Sequence, residues 1–88
     1  MKANITMNAY VNKVSKQAYF TRTKGETFSF QDIDVEFIIN DINEDSITVD
    51  FSKEYEGYKL SNNIIKVGET VKVEGPNYIT IKLDSIEE

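Results

Sequence analysis

The chain reads GETFSF at residues 25–30 and GETVKV at residues 68–73, two nearly identical stretches 43 residues apart. Each runs on into a segment in which apolar and polar residues alternate. The apolar members are Val35, Phe37 and Ile39 in the first copy and Ile79, Ile81 and Leu83 in the second. Alternation with period two is typical of a half-buried β-strand. A repeated strand–turn–strand unit therefore predicts paired β-hairpins and an all-β fold.

The rest of the chain has the same character and predicts one domain over residues 1–88. Short alternating runs are separated by turn signals, which gives about seven to eight strands in a small antiparallel β-sandwich or barrel. One predicted hairpin pairs residues 27–31 with residues 35–40 around the loop Gln31–Asp34.

Two periodicities compete in residues 5–18. A strand would bury the alternating residues Ile5, Met7, Ala9 and Val11. A helix would bury the residues at helical spacing, Met7, Tyr10, Val11, Val14 and Ala18. Because asparagine and β-branched residues are mediocre helix formers, we expect a strand here. The alternative is an α+β fold with one short N-terminal helix.

Hairpin registers follow from matching apolar residues across the turns. A hairpin centred on Asn43 places Ile39 opposite Ile47, Phe37 opposite Val49 and Val35 opposite Phe51. A hairpin centred on Pro76 places Val73 opposite Ile79 and Val71 opposite Ile81. Both registers put apolar residues on one face, as a half-buried sheet requires.

The composition argues against most catalytic chemistry. The 88 residues include no cysteine and no histidine, which removes thiolate nucleophiles, the usual zinc ligands and the commonest general base. We therefore expect no enzymatic activity, no cofactor and no metal site. No apolar run exceeds three residues, and the N-terminal residues lack the apolar block of a secretory signal. The sequence thus predicts a cytoplasmic protein that does not enter a membrane.

Charge is distributed unevenly along the chain. Residues 1–25 hold five lysines or arginines and no acid, whereas residues 26–88 hold fifteen acids and five lysines. The basic segment also contains aromatic residues, a combination that suits single-stranded nucleic acid. An alternative function is therefore a nucleic-acid-binding small β-barrel that uses Tyr10, Lys13, Lys16, Tyr19 and Arg22. Simple pairing of this strand with acidic strands is the competing explanation.

Acidic residues and tyrosines after residue 30 suggest the leading function. The predicted register places Glu36 opposite Asp50, with Asp34 beside them, while Tyr55 and Tyr58 lie in an irregular stretch. These five residues predict a non-enzymatic protein-interaction module whose partner presents a basic surface. A specific version is an acidic inhibitor, from a bacterium or phage, that occupies a basic site on its target. A third alternative is a structural subunit of a phage or surface assembly, with edge strands pairing between copies.

Asp41–Asp45 begins like a calcium-binding loop but departs from that pattern. Oxygen-bearing side chains occupy its first, third and fifth positions. Ser46 replaces the glycine of the sixth position, and Ser52 replaces the bidentate glutamate of the twelfth. We interpret the segment as a hairpin turn, with weak cation binding as the alternative.

Overall fold

The alternating segments form strands, and no helix occurs in the residues that the structure describes. The structure is a computed structural model and describes residues 1–30 and 33–88. Nine strands lie in these ranges: β1 (Lys2–Val11), β2 (Val14–Arg22), β3 (Thr27–Ser29), β4 (Glu36–Ile42), β5 (Ser46–Phe51), β6 (Lys59–Leu60), β7 (Ile64–Lys66), β8 (Thr70–Glu74) and β9 (Tyr78–Glu87).

The strands form two antiparallel sheets around one core. The larger sheet has the order β2-β1-β9-β8-β6, and the smaller has the order β3-β4-β5-β7. The inner faces of both sheets supply the core, whose largest fully buried side chains include Phe28, Phe37, Ile5, Met7, Ile39 and Ile47. Each such side chain contributes about 1.5–3 kcal/mol through its burial. The predicted all-β class is confirmed as a small β-sandwich, with nine strands in the described residues instead of seven or eight.

Residues 5–18 form a hairpin, so the alternative of an N-terminal helix is wrong. The inner row of β1 includes Ile5, Met7 and Ala9, all buried, which confirms the strand periodicity. The connection to β2 is the tight turn at Asn12 and Lys13, whose φ angles are 51° and 66°. Positive φ at both central residues is the mark of a type I′ hairpin turn.

The predicted hairpin around Pro76 is confirmed residue for residue. Val73 lies opposite Ile79, and Val71 lies opposite Ile81. Because both pairs face the other sheet, this hairpin delivers four buried side chains to the core.

The predicted register of the hairpin around Asn43 is wrong. The turn is centred between Glu44 and Asp45, since Ile42 pairs with Ile47. The ladder then shifts by one residue between Ile39 and Asp41, so that Phe37 pairs with Phe51 and Ile39 with Val49. An extra residue in one strand forms a β-bulge, which moves the pairing without exposing the apolar face. Gln31 and Asp32 of the other predicted hairpin loop lie outside the described residues, but β3 and β4 do pair on either side of it.

The first copy of the repeated motif forms a turn that leads from one sheet to the other. Gly25 has φ 87°, a conformation that glycine adopts without strain, and its N–H donates to the carbonyl of Ile39 at 2.7 Å. The N–H of Glu26 donates to the carbonyl of Thr23 at 3.1 Å, which closes the turn. The turn connects β2 of the larger sheet to β3 of the smaller sheet.

The second copy forms the same turn, but there the chain passes from the smaller sheet to the larger one. Gly68 also has φ 87°, and its N–H donates to the carbonyl of Leu83 at 2.8 Å. The N–H of Glu69 donates to the carbonyl of Lys66 at 2.9 Å. This copy leads from β7 of the smaller sheet to β8 of the larger sheet.

The repeat extends to the order of the strands. Four strands of the larger sheet run β2-β1-β9-β8, and the smaller sheet read from its other edge runs β7-β5-β4-β3. In each sheet the strand after the turn pairs with the next strand along the chain. The two sheets are therefore built on one plan, with β6 as an addition to the larger one.

Candidate binding surfaces

Four of the five residues predicted to bind a partner protein lie together. Glu36 and Asp50 are on the outer side of the smaller sheet, although Asp50 pairs with Ile38 and not with Glu36. Asp34, Glu36 and Tyr55 line one shallow depression with Lys53. A second depression adjoins it through Lys53 and Tyr55, and its acidic lining residues are Asp50, Glu54 and Glu56. We call Asp34, Glu36, Asp50, Glu54 and Glu56 the acidic surface.

Tyr55 anchors the irregular stretch beneath the acidic surface. Its hydroxyl oxygen accepts the backbone N–H of Glu36 at 3.1 Å, and its half-buried ring lies 5.9 Å from the ring of Phe51 in an edge-on contact. The ammonium of Lys53 lies 5.5 Å from the centre of the Tyr55 ring. The residue is thus held by core and backbone contacts, and it fixes the position of the acids on either side of it.

Tyr58 belongs to a different part of the molecule. Its ring packs on Gly75, where an added Cβ would overlap the ring and lie 2.9 Å from the carbonyl oxygen of Gly57. Its hydroxyl accepts the side-chain amide of Asn77 at 3.1 Å. Tyr58 therefore fastens the irregular stretch to the β8–β9 turn and lines neither depression of the acidic surface.

The predicted nucleic-acid residues come together only in part: Tyr10 and Lys16 line one depression at the edge of the larger sheet, and the other three do not. Tyr10 and Tyr19 are exposed on the outer face of the larger sheet. Lys16 and Arg22 alternate onto the opposite face of β2, because neighbouring residues of a strand point to opposite sides. The Arg22 guanidinium lies 5.1 Å from the ring centre of Phe20, and its Nε donates to a backbone carbonyl at 2.8 Å. Lys13 is in the β1–β2 turn.

The structure adds a tyrosine that the sequence interpretation did not include. Tyr78 pairs with Tyr10 across β9 and β1, and both are exposed on the outer face of the larger sheet. The parity of β9 places Tyr78 on the side opposite Ile79, so its outward direction was readable from the sequence. Its neighbour was not, because β1 and β9 are at opposite ends of the chain. We call Tyr10, Tyr19 and Tyr78 the tyrosine face.

The uneven charge of the sequence becomes a difference between the larger sheet and the rest of the chain. The strands of the larger sheet and the turn at residues 12–13 carry seven lysines or arginines and three acids, a net charge of +4. All remaining residues carry three lysines and twelve acids, a net charge of −9. The tyrosine face therefore lies on the basic layer, and the acidic surface lies on the other.

The turn predicted at Asp41–Asp45 is shorter in the structure, because Asp41 and Ile42 belong to β4 and pair with Thr48 and Ile47. The N–H of Asn43 donates to the carbonyl of Ser46 at 2.8 Å, and Asp41 accepts the N–H of Ile42 at 2.9 Å. Across residues 1–30 and 33–88, no three His, Cys, Asp or Glu side chains are grouped as metal ligands.

The carboxylate of the first repeated turn, that of Glu26, has a lowered pKa. Glu26 Oε1 accepts the N–H of Thr23 at 2.7 Å and the Thr23 hydroxyl at 2.8 Å. These bonds, the backbone one first, hold the pKa of Glu26 below its ordinary value of 4.5.

Comparison with protein-family models, with curated proteins and with solved structures finds no match to this chain. The described residues contain no helix long and apolar enough to cross a membrane. The fold and surfaces define a small two-layer β-sandwich with one basic, tyrosine-bearing layer and one acidic surface.

Proposed function

We propose that this protein is a small binding module without catalytic activity, and that its acidic surface engages a basic region of a partner protein. The supporting observation is the gathering of Asp34, Glu36, Asp50, Glu54 and Glu56 around a single anchored tyrosine. Five acids against one lysine, Lys53, make this surface predominantly negative, and a surface of this kind attracts a partner of opposite charge and speeds its association. A half-buried tyrosine adds apolar contact area with little loss of conformational entropy.

A narrower form of the proposal is an inhibitor that occupies a nucleic-acid-binding site. Glu36 and Asp50 are on neighbouring strands, which lie about 4.8 Å apart, and they are offset by two residues along the strands, about 7 Å. Carboxylates at such intervals present a row of negative charge to the lysines and arginines that normally contact phosphates. A cytoplasmic location, where such targets are abundant, completes this form of the proposal.

The proposal is tested by capture of partners from a native lysate with three matched forms of the tagged chain. One is the unaltered chain, and one carries Glu36→Gln and Asp50→Asn. The third carries Glu74→Gln and Glu87→Gln, which change the net charge equally on the larger sheet. Asp50→Asn keeps the carbonyl oxygen that accepts the N–H of Phe51 at 2.8 Å.

We expect a protein partner that survives nuclease treatment, is retained by the control variant and is lost by the Glu36→Gln and Asp50→Asn variant. Binding that both variants keep, or that disappears with nuclease, would contradict the proposal. Assembly through edge strands stays a separate prediction, which the molar mass from light scattering tests.

A further inference from the structure

Two tyrosines stand side by side on adjacent strands of the larger sheet. Tyr10 on β1 is the register partner of Tyr78 on β9, and their side chains are 49% and 53% exposed. Side chains directly opposite each other in an antiparallel sheet have Cβ atoms about 4.5–5.5 Å apart. The two rings therefore offer neighbouring aromatic surfaces to a ligand that arrives from solvent.

A depression opens beside these rings and continues as a row of amides. Asn8, Ser15 and both tyrosines are among the residues lining a space of about 490 Å³, within the range of about 300–1,000 Å³ of small-ligand sites. The side-chain amide of Gln17 donates to Asn8 at 2.9 Å, and the hydroxyl of Tyr19 donates to Gln17 at 2.7 Å. The row thus ends at a third ring, 72% exposed.

The charge beside the rings is positive. The ammonium of Lys72 lies 5.4 Å from the centre of the Tyr78 ring, and Lys82 follows on the same outer row of β9. The outer rows of the larger sheet carry a net charge of +1, because Lys16 and Arg22 are on the opposite face of β2; the charged residues of these rows are Lys2, Lys59, Lys72, Lys82, Glu74, Asp84 and Glu87. An anionic ligand is therefore favoured beside the Tyr78 ring, next to Lys72, over the acidic remainder of the molecule.

The three acids on the outer rows of β8 and β9 have basic or hydroxyl neighbours within the sheet. Asp84 accepts the hydroxyl of Thr6 and lies 3.9 Å from the ammonium of Lys82. Glu74 is the register partner of Lys59, and Glu87 is the register partner of Lys2. Their charge is offset locally, so it opposes an anionic ligand less than three isolated carboxylates would.

We propose that the tyrosine face binds single-stranded nucleic acid, with two successive bases stacked on Tyr10 and Tyr78 and a phosphate beside Lys72. Aromatic rings that accept any base, combined with nearby cations, are the means by which proteins hold single strands without reading sequence. Asn8 and Gln17 add hydrogen-bonding groups between the rings and Tyr19. The site is independent of the acidic surface, and the failure of one proposal leaves the other standing.

The test is the fluorescence anisotropy of a labelled oligothymidylate of about 12 nucleotides, titrated with the full chain at salt concentrations from about 50 to 200 mM. Tyr10→Thr and Tyr78→Thr remove each ring while keeping a residue that favours strands. Lys72→Gln removes the cation. Lys53→Gln is the matched control, because Lys53 makes the same kind of contact with Tyr55, at 5.5 Å, on the acidic side.

We expect each tyrosine variant to weaken binding by about 5- to 150-fold, the loss of one stacked base. Lys72→Gln should also reduce the slope of log affinity against log salt by about 0.7. Lys53→Gln should leave both quantities unchanged. Three results would overturn the proposal: no binding up to about 0.1 mM protein at the lowest salt, binding unaffected by the tyrosine variants, or equal losses in the two lysine variants. Thermal unfolding of each variant distinguishes lost binding from lost folding.

Discussion

At the scale of single residues, the β1–β2 turn holds the backbone of one residue in a strained conformation. Lys13 has φ 66°, and a left-handed backbone costs an L-residue about 1–2 kcal/mol. Its neighbour Asn12, at φ 51°, tolerates this region better because its short polar side chain can bond locally. The strain is compensated by the long ladder on either side of the turn, which pairs Val11 with Val14 and continues to Arg22.

Replacing Lys13 by glycine should stabilise the protein. Glycine removes the left-handed strain but adds freedom to the unfolded chain, so the net gain should be about 0.5–1 kcal/mol. Urea unfolding measures it as a higher midpoint with an unchanged slope. Lys13→Ala removes the same charge and keeps the strain, so its midpoint should stay close to that of the unaltered chain. If both variants stabilise the protein equally, the stabilisation comes from the loss of the lysine charge and not from relief of backbone strain.

The same turn shows why the sequence left residues 5–18 open. Asn-Gly is the usual signal of a type I′ hairpin, and here lysine occupies the second position. Without that signal, alternation alone had to compete with a helical spacing of the same apolar residues. The pairing of Tyr10 with Tyr78 could not be predicted from the sequence for a different reason. It depends on β1 lying beside β9, a contact that no local pattern specifies.

At the scale of elements, the repeated turn is closed by a glutamate side chain in both copies. Glu26 accepts the N–H of Thr23, and Glu69 accepts the N–H of Lys66 at 3.1 Å. The glutamate of the motif therefore satisfies a backbone donor at the point where the chain crosses between sheets. Gly-Glu-Thr recurs because this turn needs positive φ, then a carboxylate, then a residue suited to begin a strand.

Glu26 should make the stability of the protein depend on pH in acid. Its pKa is lowered in the folded state, so its hydrogen bonds stabilise the fold above its ordinary pKa of 4.5, and this stabilisation is lost as pH falls through the lowered value. Glu26→Gln removes the ionisation, and the decline of stability below pH 4.5 should become shallower. Urea unfolding at several acidic pH values measures the decline. Glu88→Gln makes the same change of charge outside the turn, and a curve flattened equally by both variants would contradict the assignment.

The β4–β5 hairpin marks the limit of register prediction at this scale. Matching apolar residues around Asn43 gave a self-consistent ladder, yet the structure has Phe37 opposite Phe51, two residues from the predicted partner Val49. Because a shift of two residues keeps every side chain on its face, both arrangements satisfy the apolar pattern. The wrong register did not affect the prediction of the acidic surface, since Glu36 and Asp50 remain on the outer side in either register.

At the scale of the whole molecule, the matching strand orders make the β9–β1 pair, which contains the two chain ends, equivalent to the β4–β5 pair, which a turn joins. Strand β9 pairs with β1 as β4 pairs with β5, but a turn joins only the second pair. Lys2 is the register partner of Glu87, so the two ends of the 88-residue chain lie on neighbouring strands. The fold should therefore tolerate a chain in which a new turn joins β9 to β1 and the turn between β4 and β5 is cut, because neither connection lies in the core.

A circular permutant tests that plan directly. A linker of about 2–5 residues, the usual length of a hairpin loop, should join Glu88 to Met1, and the chain should be opened between Asn43 and Glu44. We expect the same fold, since every strand pair is kept and the cut disrupts only a surface turn whose bond joins Asn43 to Ser46 at 2.8 Å. Circular dichroism and thermal unfolding measure the outcome.

A control opened between Ile81 and Lys82 interrupts a central strand and should not fold, because Ile81 is fully buried and β9 pairs on both sides. If the first permutant does not fold, the β4–β5 turn is needed to form the smaller sheet. The two sheets would then share an order of strands but form it by different folding steps.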